Sequence, residues 1–319
     1  MYRYDEGYQY NIEEEEKGYR GDMPDEERHL PLPKKVNCGI VIDKLKICYE
    51  AANGMYLEDL ETVQLNGIKS IAGFYFHRMS NDRFKHFFLV YDIDGKAVAT
   101  LKFNKYANES SSSKYIFLDV NNEVLYDHNR LHELLLMPEG IGITFHNFTS
   151  IDLAYDTPFN TTTQIRKRMR DESLDTIING KVVKDRSTVL DGLTCTHSIT
   201  MNRLKNPTIT IKQKKAQKHT NEGVTVQAYN KKEEIKNTSD KQYIMDYWGN
   251  PTRLYRLEVR LNSEDIKTFL SHAFIAPSID ILYNPSILKG MFLFHLNSVI
   301  RFRSGRKIIA WEDILRMQC

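Results

Sequence analysis

KHFFLVYDIDGKAVATLKFNKY, residues 85–106, sets two apolar, alternating runs on either side of Asp94-Gly95. An Asp-Gly pair between such runs signals a tight β-hairpin, because the glycine takes the positive φ that the turn demands. A chain that doubles back in this way builds antiparallel sheet, and the surrounding sequence repeats the theme. Strand patterns recur at 36–50 (VNCGIVIDKLKICYE), 70–79, 114–127, 141–157, 207–215 (PTITIKQKK), 224–232 (VTVQAYNKK) and 254–262 (LYRLEVRLN). Between them, 130–137 (RLHELLLM) predicts a short helix stopped by Pro138 and Gly140. Residues 161–180 predict a basic helix with threonine caps that ends at Gly180, and 263–319 reads as mostly helical. The expected fold class is α+β: an antiparallel β-sheet with helices packed on one face.

Composition narrows the function classes. The chain has 319 residues and 41% hydrophobic content, enough to bury a real core. It has no run of apolar residues long enough to span a bilayer, so no membrane partner is expected. Cys38, Cys48, Cys195 and Cys319 show no CxxC spacing, which suits reduced thiols and a cytoplasmic location better than disulfides or a zinc knuckle. Net charge is only +2, but it is unevenly spread. Residues 1–34 hold ten acidic and five basic side chains and are expected to form a flexible acidic tail. Residues 160–218 hold thirteen basic and five acidic side chains, a cationic stretch suited to a polyanion. Within it, Arg166, Lys167, Arg168 and Arg170 on the basic helix, and Lys212, Lys214, Lys215 and Lys218 in the KQKKAQK run, are candidate phosphate contacts.

Three strands carry unusual polar sets on one face. Alternation places Asp152 and Asp156 together on one strand, Thr225, Gln227 and Tyr229 on a second, and Arg256, Glu258 and Arg260 on a third. Tyr155 and Tyr255 fall on the opposite, core-facing sides. If the three strands are neighbours, their carboxylates converge, and such a group requires a cation between its members. Hard oxygen donors favour Mg²⁺ or Mn²⁺. A tyrosine beside a polarised phosphate could attack it and become covalently linked. Lys231, two residues beyond Tyr229, would neutralise the phosphate or the phenolate.

The order IDKLKI (42–47), IDLAYD (151–156), AYNKKEE (228–234), YRLEVRL (255–261) resembles the replication initiation factor, or Rep_trans, family of rolling-circle plasmids, phages and integrative elements. The similarity spans roughly residues 36–265. Lys44 stands where the family commonly has an aromatic residue, Ser150 where a basic residue often precedes the aspartate strand, and 213–223 replaces the usual glycine-serine stretch. The resemblance implies a relaxase-like, metal-dependent tyrosine DNA endonuclease and strand transferase. In that scheme Tyr229 is the nucleophile, aided by Lys231, and remains on the 5′ end while the freed 3′-hydroxyl primes synthesis. Asp152, Asp156, Glu234 and Glu258 are the candidate metal ligands, and Arg256 and Arg260 join the DNA contacts. The partners implied are duplex origin DNA and an extruded single strand; a homodimer is left open. The domain reading is a tail over 1–34, a replication-initiator-like catalytic domain over 35–265 and a helical extension over 266–319.

Two features sharpen this reading. The ten histidines include no pair separated by one residue, so an imidazole-held metal of the His-hydrophobe-His type is not expected. No GxxxxGK[ST] segment is present, so duplex unwinding would fall to a helicase partner. The alternative is a non-catalytic DNA-binding or structural protein of a mobile element with the same fold.

Overall fold

The computed structural model describes residues 8–9, 37–51, 55–105, 115–183, 199–201, 208–213 and 223–317. In chain order the elements begin with β1 (Tyr8–Gln9), β2 (Asn37–Ala51), α1 (Met55–Thr62), β3 (Ile68–Ile71), β4 (Phe74–Met79), β5 (Phe84–Tyr91), β6 (Ala97–Lys105) and β7 (Tyr115–Val120). A 3₁₀ turn (Asn122–Tyr126) leads to α2 (His128–Gly140), β8 (Ile143–Thr157), α3 (Thr161–Arg170), β9 (Asp175–Ile178), β10 (Lys181–Val182), β11 (Ile199–Met201), β12 (Ile209–Lys212) and β13 (Thr225–Asn230). Then follow α4 (Lys231–Asn237), α5 (Gln242–Tyr247), β14 (Tyr255–Asn262), α6 (Ser263–His272), a 3₁₀ turn (Ile279–Tyr283), α7 (Pro285–Val299), β15 (Ile300–Ser304), β16 (Lys307–Ile308) and α8 (Trp311–Leu315). The class is α+β with antiparallel pairing. The expected acidic tail lies almost wholly outside the described residues; within it, Tyr8 pairs with Cys38 across β1 and β2.

Contacts divide the chain into two compact units. One comprises residues 42–151 and 262–281. Its centre is the hairpin read from the sequence: β5 and β6 pair through Phe88↔Leu101 and Val90↔Ala99. The turn closes through Gly95 N–H donating to Asp92 O (3.0 Å), with Gly95 at φ 75°. On one side Phe76, Phe88, Val90, Leu101, Phe103, Ile116 and Leu118 form a buried core. Leu57 and Leu60 of α1, Leu131, Leu134 and Leu135 of α2, and Ile266 and Phe269 of α6 are buried with them. Alternate strand positions such as Lys46, Lys102, Tyr115 and Asp119 keep contact with solvent. Asp127 caps α2 by accepting from Arg130 N–H. That helix continues through Pro138 rather than stopping before it. The proline stands in the closing turn, and the chain leaves through Gly142 at φ 75°.

The other unit comprises residues 1–41, 152–261 and 282–319. Its strands run β11-β12-β13-β14 and then residues 152–157 of β8. Val224, Val226, Ala228, Leu257, Val259, Leu261, Leu153 and Tyr155 are all buried, as alternation expects, and so is Tyr255. Helices α3 and α7 pack against β13. Asn160, rather than a threonine, caps α3 by accepting from Thr163 N–H (2.9 Å). A second sheet has the order β10-β9-β15-β16. It corrects two expectations. Residues 175–178 (DTII) are a strand and not the end of the basic helix, because buried Thr176, Ile177 and Ile178 pair with β15. The predominantly helical C-terminal region accordingly contains a hairpin, β15–β16.

Candidate active site

Strand order makes β13, β14 and the Asp152–Thr157 half of β8 consecutive neighbours. Register then sets Tyr229 opposite Arg256, Gln227 opposite Glu258 and Thr225 opposite Arg260. The polar faces read from the sequence therefore meet on one side of the sheet. That side is closed at one end and open at the other.

At the closed end Asp156 and Arg256 are both fully buried. Arg256 donates from Nε to Asp156 Oδ1 (2.7 Å) and from Nη2 to Oδ2 (2.6 Å). The indole Nε1–H of Trp248 adds a third bond to Oδ2 (2.9 Å). A carboxylate held by a guanidinium fork and an indole has three acceptor positions filled, and Asp156 serves here as the structural partner of Arg256 and Trp248. Arg256 has no exposed surface. The same carboxylate acts on Tyr247: burial first, and the Asp156 charge second, push that phenol above its usual range.

At the open end the Tyr229 hydroxyl donates to Glu258 Oε2 (2.9 Å). Glu258 is buried, and its other oxygen accepts from Arg260 Nε (2.6 Å). The guanidinium also donates from Nη2 to Gln227 Oε1 (2.9 Å) and stands 3.8 Å from Asp152 Oδ2. Burial acts to lower the Arg260 pKa, but Glu258, Asp152 and Tyr229 outweigh it and raise the value above that of a free guanidinium. Lys231 is almost completely buried; its Nζ lies 2.8 Å from Glu234 Oε2 and 5.7 Å from the centre of the Tyr229 ring. Asn230 caps α4 by accepting from Glu233 N–H, which fixes the helix directly behind the tyrosine. A cleft of about 340 Å³ opens here, lined by Gln227, Tyr229, Asn230, Glu233, Glu234 and Arg260 among others.

The four candidate carboxylates, of which only one of Asp152 and Asp156 needs to touch the ion, are not all brought together. Among the described residues no three His, Cys, Asp or Glu side chains are grouped to hold a metal. Asp156 is committed to Arg256, and Glu234 is drawn to Lys231. Asp152 and Glu258 do converge, on Arg260. The donor set around that guanidinium is two carboxylates and one amide oxygen, the hard ligands that Mg²⁺ and Mn²⁺ take. Gln227, which lies two residues before Tyr229 on the same strand face, supplies the amide and joins the candidate ligands here.

Of the other basic candidates, Lys167, Arg170 and Lys212 are exposed and Arg166 and Arg168 partly so. Lys214, Lys215 and Lys218 lie outside the described residues. No helix among the described residues is long and apolar enough to cross a membrane.

No protein-family model matches the chain, and no curated protein does. Among solved structures it is similar to a rolling circle replication initiator protein from Geobacillus stearothermophilus. The identity is 12%, the match covers 85% of this chain and 88% of that one, and the TM-score is 0.42.

Proposed function

We propose that the chain nicks and rejoins one strand of DNA through Tyr229, and so initiates rolling-circle replication. The observation that carries this reading is the Tyr229 hydroxyl: it faces a cleft while donating to a buried carboxylate, Glu258. Glu258 is positioned to accept the phenolic proton as the oxygen attacks phosphorus. The new bond is Tyr229 Oη–P, the broken bond is P–O3′, and the released 3′ oxygen takes up a proton. Rejoining reverses each transfer. Arg260 at the cleft wall, and Lys231 beneath the ring, oppose the negative charge that builds on phosphate and phenolate.

Asp152, Glu258 and Gln227 are the residues that would hold Mg²⁺ or Mn²⁺. A bound divalent ion supplies charge neutralisation at the phosphate oxygens. Lys167, Arg168 and Arg170 on α3, with Lys212, would contact backbone phosphates of duplex DNA, while the cleft takes the single strand. Strand separation falls to a helicase.

The test is a covalent adduct. The protein is incubated with random-sequence single-stranded oligonucleotides and Mn²⁺, digested, and searched by mass spectrometry for the Tyr229 peptide joined to nucleotide. The adduct is expected with the native chain and absent with Tyr229→Phe. A native chain that binds the pool without forming any adduct is a DNA-binding protein, and the nicking proposal is then wrong.

A further inference from the structure

The geometry points to Arg260 as a built-in cation that occupies the divalent-ion site and must swing out before an ion enters. This rests on the reading of Asp152, Glu258 and Gln227 as an ion site, and it deepens that reading. Three oxygen donors surround one guanidinium: Glu258 Oε1 at 2.6 Å, Gln227 Oε1 at 2.9 Å and Asp152 Oδ2 at 3.8 Å. Asp152 and Glu258 are 8% and 2% exposed at their side chains, so neither carboxylate can be neutralised by bulk water. Arg260 is the cation that reaches both.

Arg260 differs from its two carboxylate partners in exposure. Its side chain is 48% exposed, and it ends beside the cleft rather than in the core. Arg256, four residues earlier on the same strand face, has 0% exposure and is fixed on Asp156. One arginine is therefore locked and the other can leave. In the ion-free state Arg260 screens the two acids from one another while the other oxygen of Glu258 accepts from Tyr229. Displaced by a divalent ion, it remains tethered at the cleft wall, where a guanidinium can meet a phosphate of the entering strand in a two-point contact. The exchange couples ion loading to the appearance of an anion-binding group.

Deleting any neighbouring cation strengthens metal binding by charge alone, so the charge-keeping Arg260→Lys variant separates displacement from simple electrostatics. Apparent affinity falls by the fraction of molecules whose site is open, so removing the occupant raises it. If Arg260 is displaced in about 1–10% of molecules, Arg260→Ala should bind Mn²⁺ about tenfold to a hundredfold more tightly. The experiment is Mn²⁺ titration of the DNA-free protein, read by calorimetry and by the loss of the free-ion electron paramagnetic resonance signal. Thermal unfolding is followed in parallel. Arg260→Ala should melt lower than the native chain without metal and recover on adding Mn²⁺, and Asp152→Asn should lose the tight binding in either background. Arg260→Lys, which keeps the charge and loses the fork, serves as the second variant and should fall between the two.

Unchanged or weaker Mn²⁺ binding in both Arg260 variants overturns the proposal, as does failure of every variant and the native chain to bind Mn²⁺ at millimolar concentration. Neither result depends on DNA. A missing Tyr229 adduct would defeat the nicking reading while leaving the arginine–metal exchange standing.

Discussion

Arg256 and Asp156 form a two-point ion pair in which neither side chain reaches solvent, with Nε–Oδ1 at 2.7 Å and Nη2–Oδ2 at 2.6 Å. Removing one partner of such a pair strands the other charge in a low-dielectric interior. Asp156→Ala should therefore cost about 3–5 kcal/mol of unfolding free energy, measured by urea denaturation. A loss below about 1 kcal/mol, the size of an exposed pair, would show that the pair is not closed off from water.

Lys231→Met keeps the buried stem of the side chain and deletes its charge. Its partner Glu234 is 30% exposed and can be solvated, so stability should change by no more than about 1 kcal/mol. The ammonium sits 5.7 Å from the Tyr229 ring centre, where it favours the phenolate. Adduct formation at Tyr229 should fall by about tenfold, the rate equivalent of about 1.4 kcal/mol. An unchanged rate in a folded Lys231→Met protein would reduce Lys231 to packing.

His86 gives a pH-dependent stability independent of the cleft. It stacks on Phe103 with ring centres 4.7 Å apart, and burial, followed by the charges of Arg78 and Lys85, lowers its pKa from 6.5 to about 4. Between those values the unfolded chain binds the proton and the folded chain does not. Stability is thus fully present above pH 6.5 and declines as pH falls toward 4. With partial solvent screening the loss attributable to this group should be about 1–2 kcal/mol. His86→Gln should flatten that part of the urea midpoint against pH; an identical slope in the variant would exclude His86 as its source.

Gly140 closes α2 against Ala72. A Cβ built on it would stand 2.7 Å from the Ala72 Cβ, closer than carbon atoms approach. Gly140→Ala should destabilise by about 1–3 kcal/mol despite alanine's better helix propensity, and Ala72→Gly should restore part of the loss. A stabilised Gly140→Ala protein would show that the turn at Ala72 yields freely.

The strand reading carried well because period-2 alternation fixes which side chains share a face. Gln227 and Tyr229, or Glu258 and Arg260, could be grouped before any coordinates, and the antiparallel register supplied the rest. What alternation does not encode is which cation each acid takes. Asp152 and Asp156 lie on one face of one strand, yet Asp156 meets Arg256 and Trp248 whereas Asp152 meets Arg260. That choice depends on side-chain reach and on Trp248, which follows α5 and belongs to no strand pattern. The misread strand Asp175–Ile178 has a similar cause. Four residues behind a helix carry little periodicity, and their partner β15 begins at Ile300.

That last pairing also sets a timetable for biosynthesis. The unit holding Tyr229 is assembled from residues 1–41, 152–261 and 282–319, and β9 waits for β15 and the chain's final segment. On a ribosome releasing the chain from its N-terminus, the nucleophile is made well before its surroundings can close. Helix α7, which packs on the tyrosine's own strand, is itself made after that strand, so a translation product ending before residue 285 would carry the tyrosine without that support.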